Sequence, residues 1–161
     1  MKPLTNIALG LLVGFFQGSM EVAWSLPGPA PDLLLLYVLW LALYRNSTGT
    51  ALVAGFLGGL AQDLVDLGGP VGTQALCKVV AAFLPEWAHF ILVPGNRITG
   101  LILVVGATLI GRIIELALLQ TFEPGGVIGI QAFLDTTMLL LWNLALAWVL
   151  VCRMIPPRSP M

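Results

Sequence analysis

Charged residues are scarce in this chain: Asp, Glu, Lys and Arg together make up 9% of its 161 residues. A soluble domain carries about 25% charged residues, because its surface must be wetted. The composition therefore excludes a water-exposed globular exterior. The net charge is −1, so the chain offers no basic patch, and we expect no nucleic-acid partner.

Residues that carry catalytic and metal chemistry are also few. The single histidine, His89, has no second histidine or cysteine nearby, so no metal site is expected. Cys77 and Cys152 lie inside apolar segments, where we interpret them as small hydrophobic side chains rather than as a disulfide. No catalytic triad, HExxH motif or phosphate-binding glycine loop is present. We therefore expect no enzymatic activity and no cofactor.

Hydrophobic residues make up 58% of the chain, and the mean hydropathy is +0.98. A membrane-spanning helix needs about 20 apolar residues, and six apolar stretches fill nearly the whole sequence. This pattern predicts an all-α integral membrane protein, a six-transmembrane-helix bundle in one domain, residues 1–161. The predicted helices cover about residues 4–22, 32–44, 50–67, 72–93, 98–121 and 127–152.

Two details of these helices need separate interpretation. The start of the chain has the charge and apolar run of a signal peptide, but its cleavage pattern is poor, so we interpret it as the first helix. Pro85 interrupts helix 4, and two alternatives stay open for residues 86–93. They either continue a kinked helix or lie along the membrane surface.

The basic residues outside the helices fall on alternate connections. Lys2, Arg45, Arg97, Arg153 and Arg158 lie at the N-terminus, the second and fourth connections, and the C-terminus. The positive-inside rule therefore places both termini in the cytoplasm.

Four charged residues lie within helices 4, 5 and 6: Lys78, Arg112, Glu115 and Asp135. Counted from the outer helix ends, they share one layer roughly 9–13 Å deep. Ionisable side chains at such depth are costly unless paired or wetted. Two interpretations stay open: an ion-pair network that joins these three helices, or a polar pocket or partner-binding patch that faces outwards.

Asp63 lies near the end of helix 3, where the helix dipole disfavours a carboxylate. A tight Gly-Gly-Pro turn separates it from the start of helix 4. We therefore predict that Asp63 accepts hydrogen bonds from the free amides of Gly72, Thr73 and Gln74, because anions are favoured at helix N-termini.

Small residues recur at four-residue spacing in two helices. Gly10, Gly14 and Gly18 form one stripe in helix 1, and Ala51, Gly55 and Gly59 form another in helix 3. Such faces allow close approach of helix backbones. The first stripe is a candidate for packing within the molecule, and alternatively for a homodimer or a partner.

The stretch Pro31–Leu84 resembles the MreD family of rod shape-determining membrane proteins. In that family a proline opens a leucine-rich helix, and a GxxxG pattern leads to an aspartate, a glycine turn and an Ala-Leu pair. The matching positions in this sequence are Pro31, Gly55, Gly59, Asp63, Gly72, Ala75 and Leu76.

The resemblance implies a non-enzymatic scaffold in the bacterial cytoplasmic membrane, within the machinery that builds the lateral cell wall. It implies direct binding to MreC, a single-span protein. Through MreC it implies association with MreB, a RodA-type glycosyltransferase and a penicillin-binding transpeptidase. The family is similar in fold to the S-components of energy-coupling-factor transporters. The alternative function is therefore a vitamin-binding membrane subunit, which would use the charged layer as its pocket.

Overall fold

The structure, a computed structural model, describes residues 3–25, 28–45, 47–66, 69–88, 97–122 and 129–154, which form six helices and no strand. Four of these helices, α1, α3, α5 and α6, are long and apolar enough to cross a membrane. The prediction of an all-α protein with six helices is therefore confirmed. The helices are α1 (Pro3–Ala23), α2 (Leu33–Tyr44), α3 (Thr48–Val65), α4 (Thr73–Ala88), α5 (Arg97–Phe122) and α6 (Ile130–Met154).

Helix α4 continues through Pro85 as far as Ala88. Proline removes one backbone hydrogen bond and clashes with the preceding turn, but packed helices tolerate it where neighbours cover the freed groups. Pro85 is buried, in agreement with that condition. Residues 89–93, the remainder of the predicted fourth helix, lie outside the described residues.

The glycine stripe of α1 packs against α3. A Cβ atom added to Gly10 would lie 2.8 Å from the Cβ of Ala54, and one added to Gly14 would lie 2.6 Å from the Cα of Gly58. One added to Gly18 would lie 2.9 Å from the backbone oxygen of Gln62. The partner residue rises by four with each step along α1, so the two helices run parallel, and the chain returns between them through α2.

The second small-residue stripe lies on an adjacent face of α3 and packs against α4. A Cβ atom on Gly55 would lie 3.2 Å from the Cβ of Lys78, and one on Gly59 would lie 2.5 Å from the Cα of Ala75. Helix α3 is therefore held closely on two sides by glycine contacts, to α1 through Gly58 and to α4 through Gly55 and Gly59.

Helix α2 occupies the centre of the bundle. Its 12 residues span about 18 Å at 1.5 Å per residue, which is shorter than the ~30 Å hydrocarbon core of a bilayer. It contacts each of the other five helices. Leu34, Val38 and Leu41 are fully buried among alanines from α3 and α4, while other leucines of α2 pack against α4, α5 and α6.

The other helices form an open arc around α2, in the order α1, α3, α4, α5, α6. Within the described residues α1 and α6 do not pack against each other. Near the end of α1, Trp24 and Trp142 meet edge to face, with ring centroids 6.3 Å apart. Trp24 therefore packs on α6. Away from this tryptophan pair, one face of α2 is not covered by the other helices.

Candidate functional site

The candidate site is a network of polar side chains around the first residues of α2. The connection after α1 contains Pro29 and Pro31, which fix φ and do not form helix. Asp32 then caps α2, because its Oδ1 accepts a hydrogen bond from the Leu35 amide at 2.9 Å. Since α2 is central and short, this capped end lies inside the protein, among side chains from the surrounding helices.

Gln17 of α1 holds the backbone on both sides of Asp32. Its Nε2 donates to the carbonyl oxygen of Pro31 at 2.9 Å, and its Oε1 accepts from the amide of Leu33 at 3.0 Å. The side chain is completely buried. Gln17 thus satisfies backbone groups that the entry into α2 would otherwise leave unpaired, which would cost several kcal/mol in an apolar setting.

Asn143 of α6 completes the support of this turn. Its Oδ1 accepts from the amide of Asp32 at 2.8 Å, and its Nδ2 donates to Oγ1 of Thr108 at 3.1 Å. Asn143 is also completely buried. The start of α2 is therefore tied by hydrogen bonds to α1, to α6 and, through Thr108, to α5.

Lys78 of α4 is the counter-charge of Asp32. Its Nζ lies 2.7 Å from Oδ2 of Asp32 and 2.8 Å from Oε1 of Gln74. Lys78 is only 1% exposed, so its charge depends on these two oxygens. The predicted charge network is wrong at this position, because Lys78 pairs with α2 and not with α5 or α6.

Arg112 and Glu115 form an ion pair on one face of α5. The Arg112 Nη1 lies 2.8 Å from Oε2 of Glu115, and the Arg112 Nε donates to Oγ1 of Thr136 on α6 at 3.4 Å. Asp135 is the second correction to the predicted network. It accepts a hydrogen bond from Gln131 on its own helix and forms no ion pair with any described residue.

Asp63 reaches the start of α4, as predicted. Its carboxylate accepts from the amides of Gly72 at 2.9 Å, Gln74 at 3.1 Å and Ala75 at 3.4 Å. Gly72 has a φ of +100°, a conformation that favours glycine. The bond predicted to Thr73 is replaced by the one to Ala75.

The motif from Pro31 to Leu76, which resembles that of MreD proteins, contains further residues with different roles. Pro31 gives its carbonyl to Gln17, and Ala75 packs against Gly59. Leu76 is exposed on the outside of α4 and does not belong to the network of polar side chains.

Glu21 lies one helical turn after Gln17 on the same face of α1. Its Oε1 accepts from Nε2 of Gln17 at 2.9 Å, and both of its carboxylate oxygens accept from Nε2 of Gln62, at 2.9 and 3.0 Å. The Oε1 of the buried Gln62 amide has no hydrogen-bond partner. Glu21 therefore has amide donors but no ion pair within the described part of the chain.

A cavity of about 70 Å³ lies in the middle of these groups. We call it the polar cavity. Of the four charged residues predicted to form an ion-pair network or a pocket, Lys78, Arg112 and Glu115 line this cavity and Asp135 does not. Its polar lining residues are Glu21, Asp32, Gln74, Lys78, Thr108, Arg112 and Glu115.

Sequence reasoning missed most of the uncharged members of this site. Gln17, Gln62, Thr108 and Asn143 are all buried, and each stands alone in an apolar helix, which was the available signal. Asp32 and Glu21 were not among the four charged residues assigned to the intramembrane layer. The charges alone therefore gave an incomplete picture of the polar interior.

The uncovered side of α2 forms a second cavity, of about 440 Å³, which we call the apolar groove. Leu9 of α1 lies on one wall, and Leu146, Val149 and Leu150 of α6 lie on the other. Its floor is α2 itself. The remaining lining residues are Leu33, Leu36, Tyr37, Leu39, Trp40, Leu43, Gly100, Val104 and Ala147.

No family model, no curated protein and no solved structure matches this chain. Its class therefore rests on the fold: an all-helical protein in which four helices are long and apolar enough to cross a membrane. In the described residues no group of three or more histidine, cysteine or acidic side chains is placed to hold a metal ion.

Proposed function

We propose that this chain is an MreD-like scaffold of the bacterial cell-elongation machinery, and that it binds the transmembrane helix and juxtamembrane segment of MreC. It lies in the cytoplasmic membrane with both termini inside, crosses it six times, and catalyses no reaction. Through MreC it associates with MreB and with the glycosyltransferase and transpeptidase that synthesise the lateral wall.

Two sequence features support this proposal. The motif from Pro31 to Leu76 resembles that of MreD proteins, and the Lys and Arg residues at or beyond the helix ends fall on alternate connections. Two connections between helices are also short in sequence: residues 45–47 join α2 to α3, and residues 66–72 join α3 to α4. Partner recognition must therefore run largely through helix faces.

The observation that carries the proposal is the apolar groove. The stripe of Gly10, Gly14 and Gly18 is covered by α3, and Asp63 is engaged with α4. Neither is free for a partner while these helices stay packed. The groove leaves α2 uncovered along its length, and its lining includes the small residues Gly100 and Ala147. Small residues at this position allow a further helix to approach closely.

The transporter alternative is less well supported. Pockets that enclose drug-sized ligands have volumes of about 300–1,000 Å³. The polar cavity, at about 70 Å³, is several-fold smaller. The apolar groove is large enough, but it contains hardly any polar groups to orient a vitamin.

Co-purification with MreC tests the proposal. Leu9 lines the groove, whereas Leu12 lies on the same helix, is exposed and does not line it. We expect Leu9→Trp to reduce the yield of co-purified MreC at least tenfold, because the indole fills the groove. Leu12→Trp should retain wild-type recovery. Equal recovery with the two variants would show that MreC does not use the groove, and failure of the wild-type protein to retain MreC would reject the scaffold function.

Reporter fusions test the orientation separately. A cytoplasmic reporter should be active when fused to either terminus, and a periplasmic reporter should be inactive at both positions. Activity of the periplasmic reporter at one terminus would mean an odd number of crossings.

A further inference from the structure

The polar cavity has an unbalanced charge. Three carboxylates line it, those of Glu21, Asp32 and Glu115, against only two cations, those of Lys78 and Arg112. Both cations are already engaged, Lys78 with Asp32 and Arg112 with Glu115, at 2.7 and 2.8 Å. The surplus negative charge therefore belongs to Glu21.

The surroundings of Glu21 favour binding of a positively charged hydrogen-bond donor. A carboxylate in an apolar interior is costly unless a cation or sufficient hydrogen bonds compensate it. Glu21 receives only amide hydrogens, from Gln17 and Gln62. The Oε1 of Gln62, which belongs to the amide bonded to Glu21, is buried and has no donor. Of these groups only Glu21 lines the polar cavity, so a positively charged group with N–H donors bound there would compensate the Glu21 carboxylate.

The size of the cavity limits what this group can be. An engineered cavity of 150 Å³ accommodates benzene, so about 70 Å³ accommodates a group of roughly three heavy atoms. An aminoethyl group, with two carbons and one nitrogen, has that size. An ammonium also carries three N–H donors.

We propose that the polar cavity binds one primary ammonium group, with Glu21 as its counter-charge. A metal ion fits less well: in the described residues the acidic side chains that line the cavity are not grouped closely enough to hold one, and Asp32 and Glu115 are already paired with Lys78 and Arg112. The ligand is either a free amine or the amine of a lipid headgroup. This proposal does not depend on the scaffold function.

Thermal unfolding of the purified full chain in detergent tests the proposal, with ethylammonium chloride as the probe. A ligand that binds the folded state raises the melting temperature in a concentration-dependent manner. We expect this rise with ethylammonium. Tetramethylammonium chloride, which has no N–H donor and is larger, and sodium chloride at the same concentration should cause a smaller rise. Equal effects of the three salts would overturn the proposal.

Two variants locate the binding. Glu21→Gln should weaken the apparent affinity for ethylammonium at least tenfold, whereas Glu86→Gln, an exposed position outside the cavity, should behave as wild type. Gly111→Ala should weaken it too, because it adds a methyl group to the cavity wall. An added Cβ at Gly111 would lie 3.8 Å from the Cβ of Cys77, an ordinary contact, so this variant should fold. Unchanged affinity in Gly111→Ala would overturn the proposal even if Glu21→Gln failed to fold.

Nanodiscs distinguish the two sources of the amine. If the headgroup binds, a bilayer rich in phosphatidylethanolamine should suppress the effect of ethylammonium by competition, and a phosphatidylcholine bilayer should not. If a free amine is the ligand, the effect should be equal in both bilayers. Loss of the effect in both bilayers would contradict binding at this site.

Discussion

The ammonium nitrogen of Lys78 lies 2.7 Å from the Asp32 carboxylate that also caps α2. Asp32 thus has two roles. One of its oxygens accepts a hydrogen bond from the Leu35 amide, and the other neutralises Lys78. The pair fixes the start of the central helix to α4. Its two members are 46 positions apart in the sequence.

Replacement of Lys78 by methionine should destabilise the bundle strongly. Asp32 would lose its counter-charge, and removal of one member of a buried pair costs about 3–5 kcal/mol. The double variant with Asp32→Asn should be less destabilised than Lys78→Met alone, because asparagine also caps helices. Chemical unfolding in detergent measures both. A wild-type midpoint for Lys78→Met would show that the pair contributes nothing.

Replacement of Gly14 by alanine should loosen the contact between α1 and α3. The added methyl group would overlap the backbone of Gly58, which cannot move as a flexible side chain can. Overpacking of this kind costs about 1–3 kcal/mol. Gly106→Ala is the matched control, because a Cβ there meets nothing within 4 Å, and alanine raises helix propensity. If both variants melted like wild type, the close approach of α1 and α3 would be refuted.

Replacement of Asp63 by alanine should destabilise the start of α4. Three backbone amides would lose their acceptor, and loss of a helix cap costs about 0.5–2 kcal/mol. Asp63→Asn should cost less, because one acceptor oxygen remains. Hydrogen exchange at the Gly72 and Gln74 amides reports the effect directly, with faster exchange expected in Asp63→Ala. Unaltered protection at these two amides would be inconsistent with the cap.

Replacement of Arg112 by leucine should destabilise the protein less than Lys78→Met. The side chains of Arg112 and Glu115 are 14% and 25% exposed, so water screens part of their interaction. The expected loss lies between the values for exposed and buried pairs, at about 1–2 kcal/mol. A double-mutant cycle with Glu115→Gln isolates the coupling between the two residues. A coupling of zero would mean that Arg112 acts mainly through Thr136 or through packing.

Much of the fold follows from short-range sequence patterns. Apolar runs separated by prolines and glycines predicted the six helices, because a helix is defined by consecutive residues. The stripe at Gly10, Gly14 and Gly18 indicated a close helix contact for the same reason. The reach of Asp63 to Gly72 was also predictable, since a tight turn keeps the end of one helix next to the start of the next.

The polar centre could be predicted only in part. The depths of Lys78, Arg112 and Asp135 were counted on the assumption that every connection lies outside the membrane. The segment before α2 folds inwards, so Asp32 became the partner of Lys78, which that count could not predict. Gln17 and Asn143 each bond to backbone near Asp32, and such pairings between distant parts of the chain leave no periodic trace in the sequence.

The parallel packing of α1 and α3 constrains how the chain is assembled during translation. A nascent chain emerges from its N-terminus onwards, so α1 leaves the ribosome before residues 48–65 do. Until they follow, the glycine face of α1 lacks the helix against which it packs in the folded protein. The contact between α1 and α3 can therefore form only after α3 has emerged, later than any contact between α1 and α2.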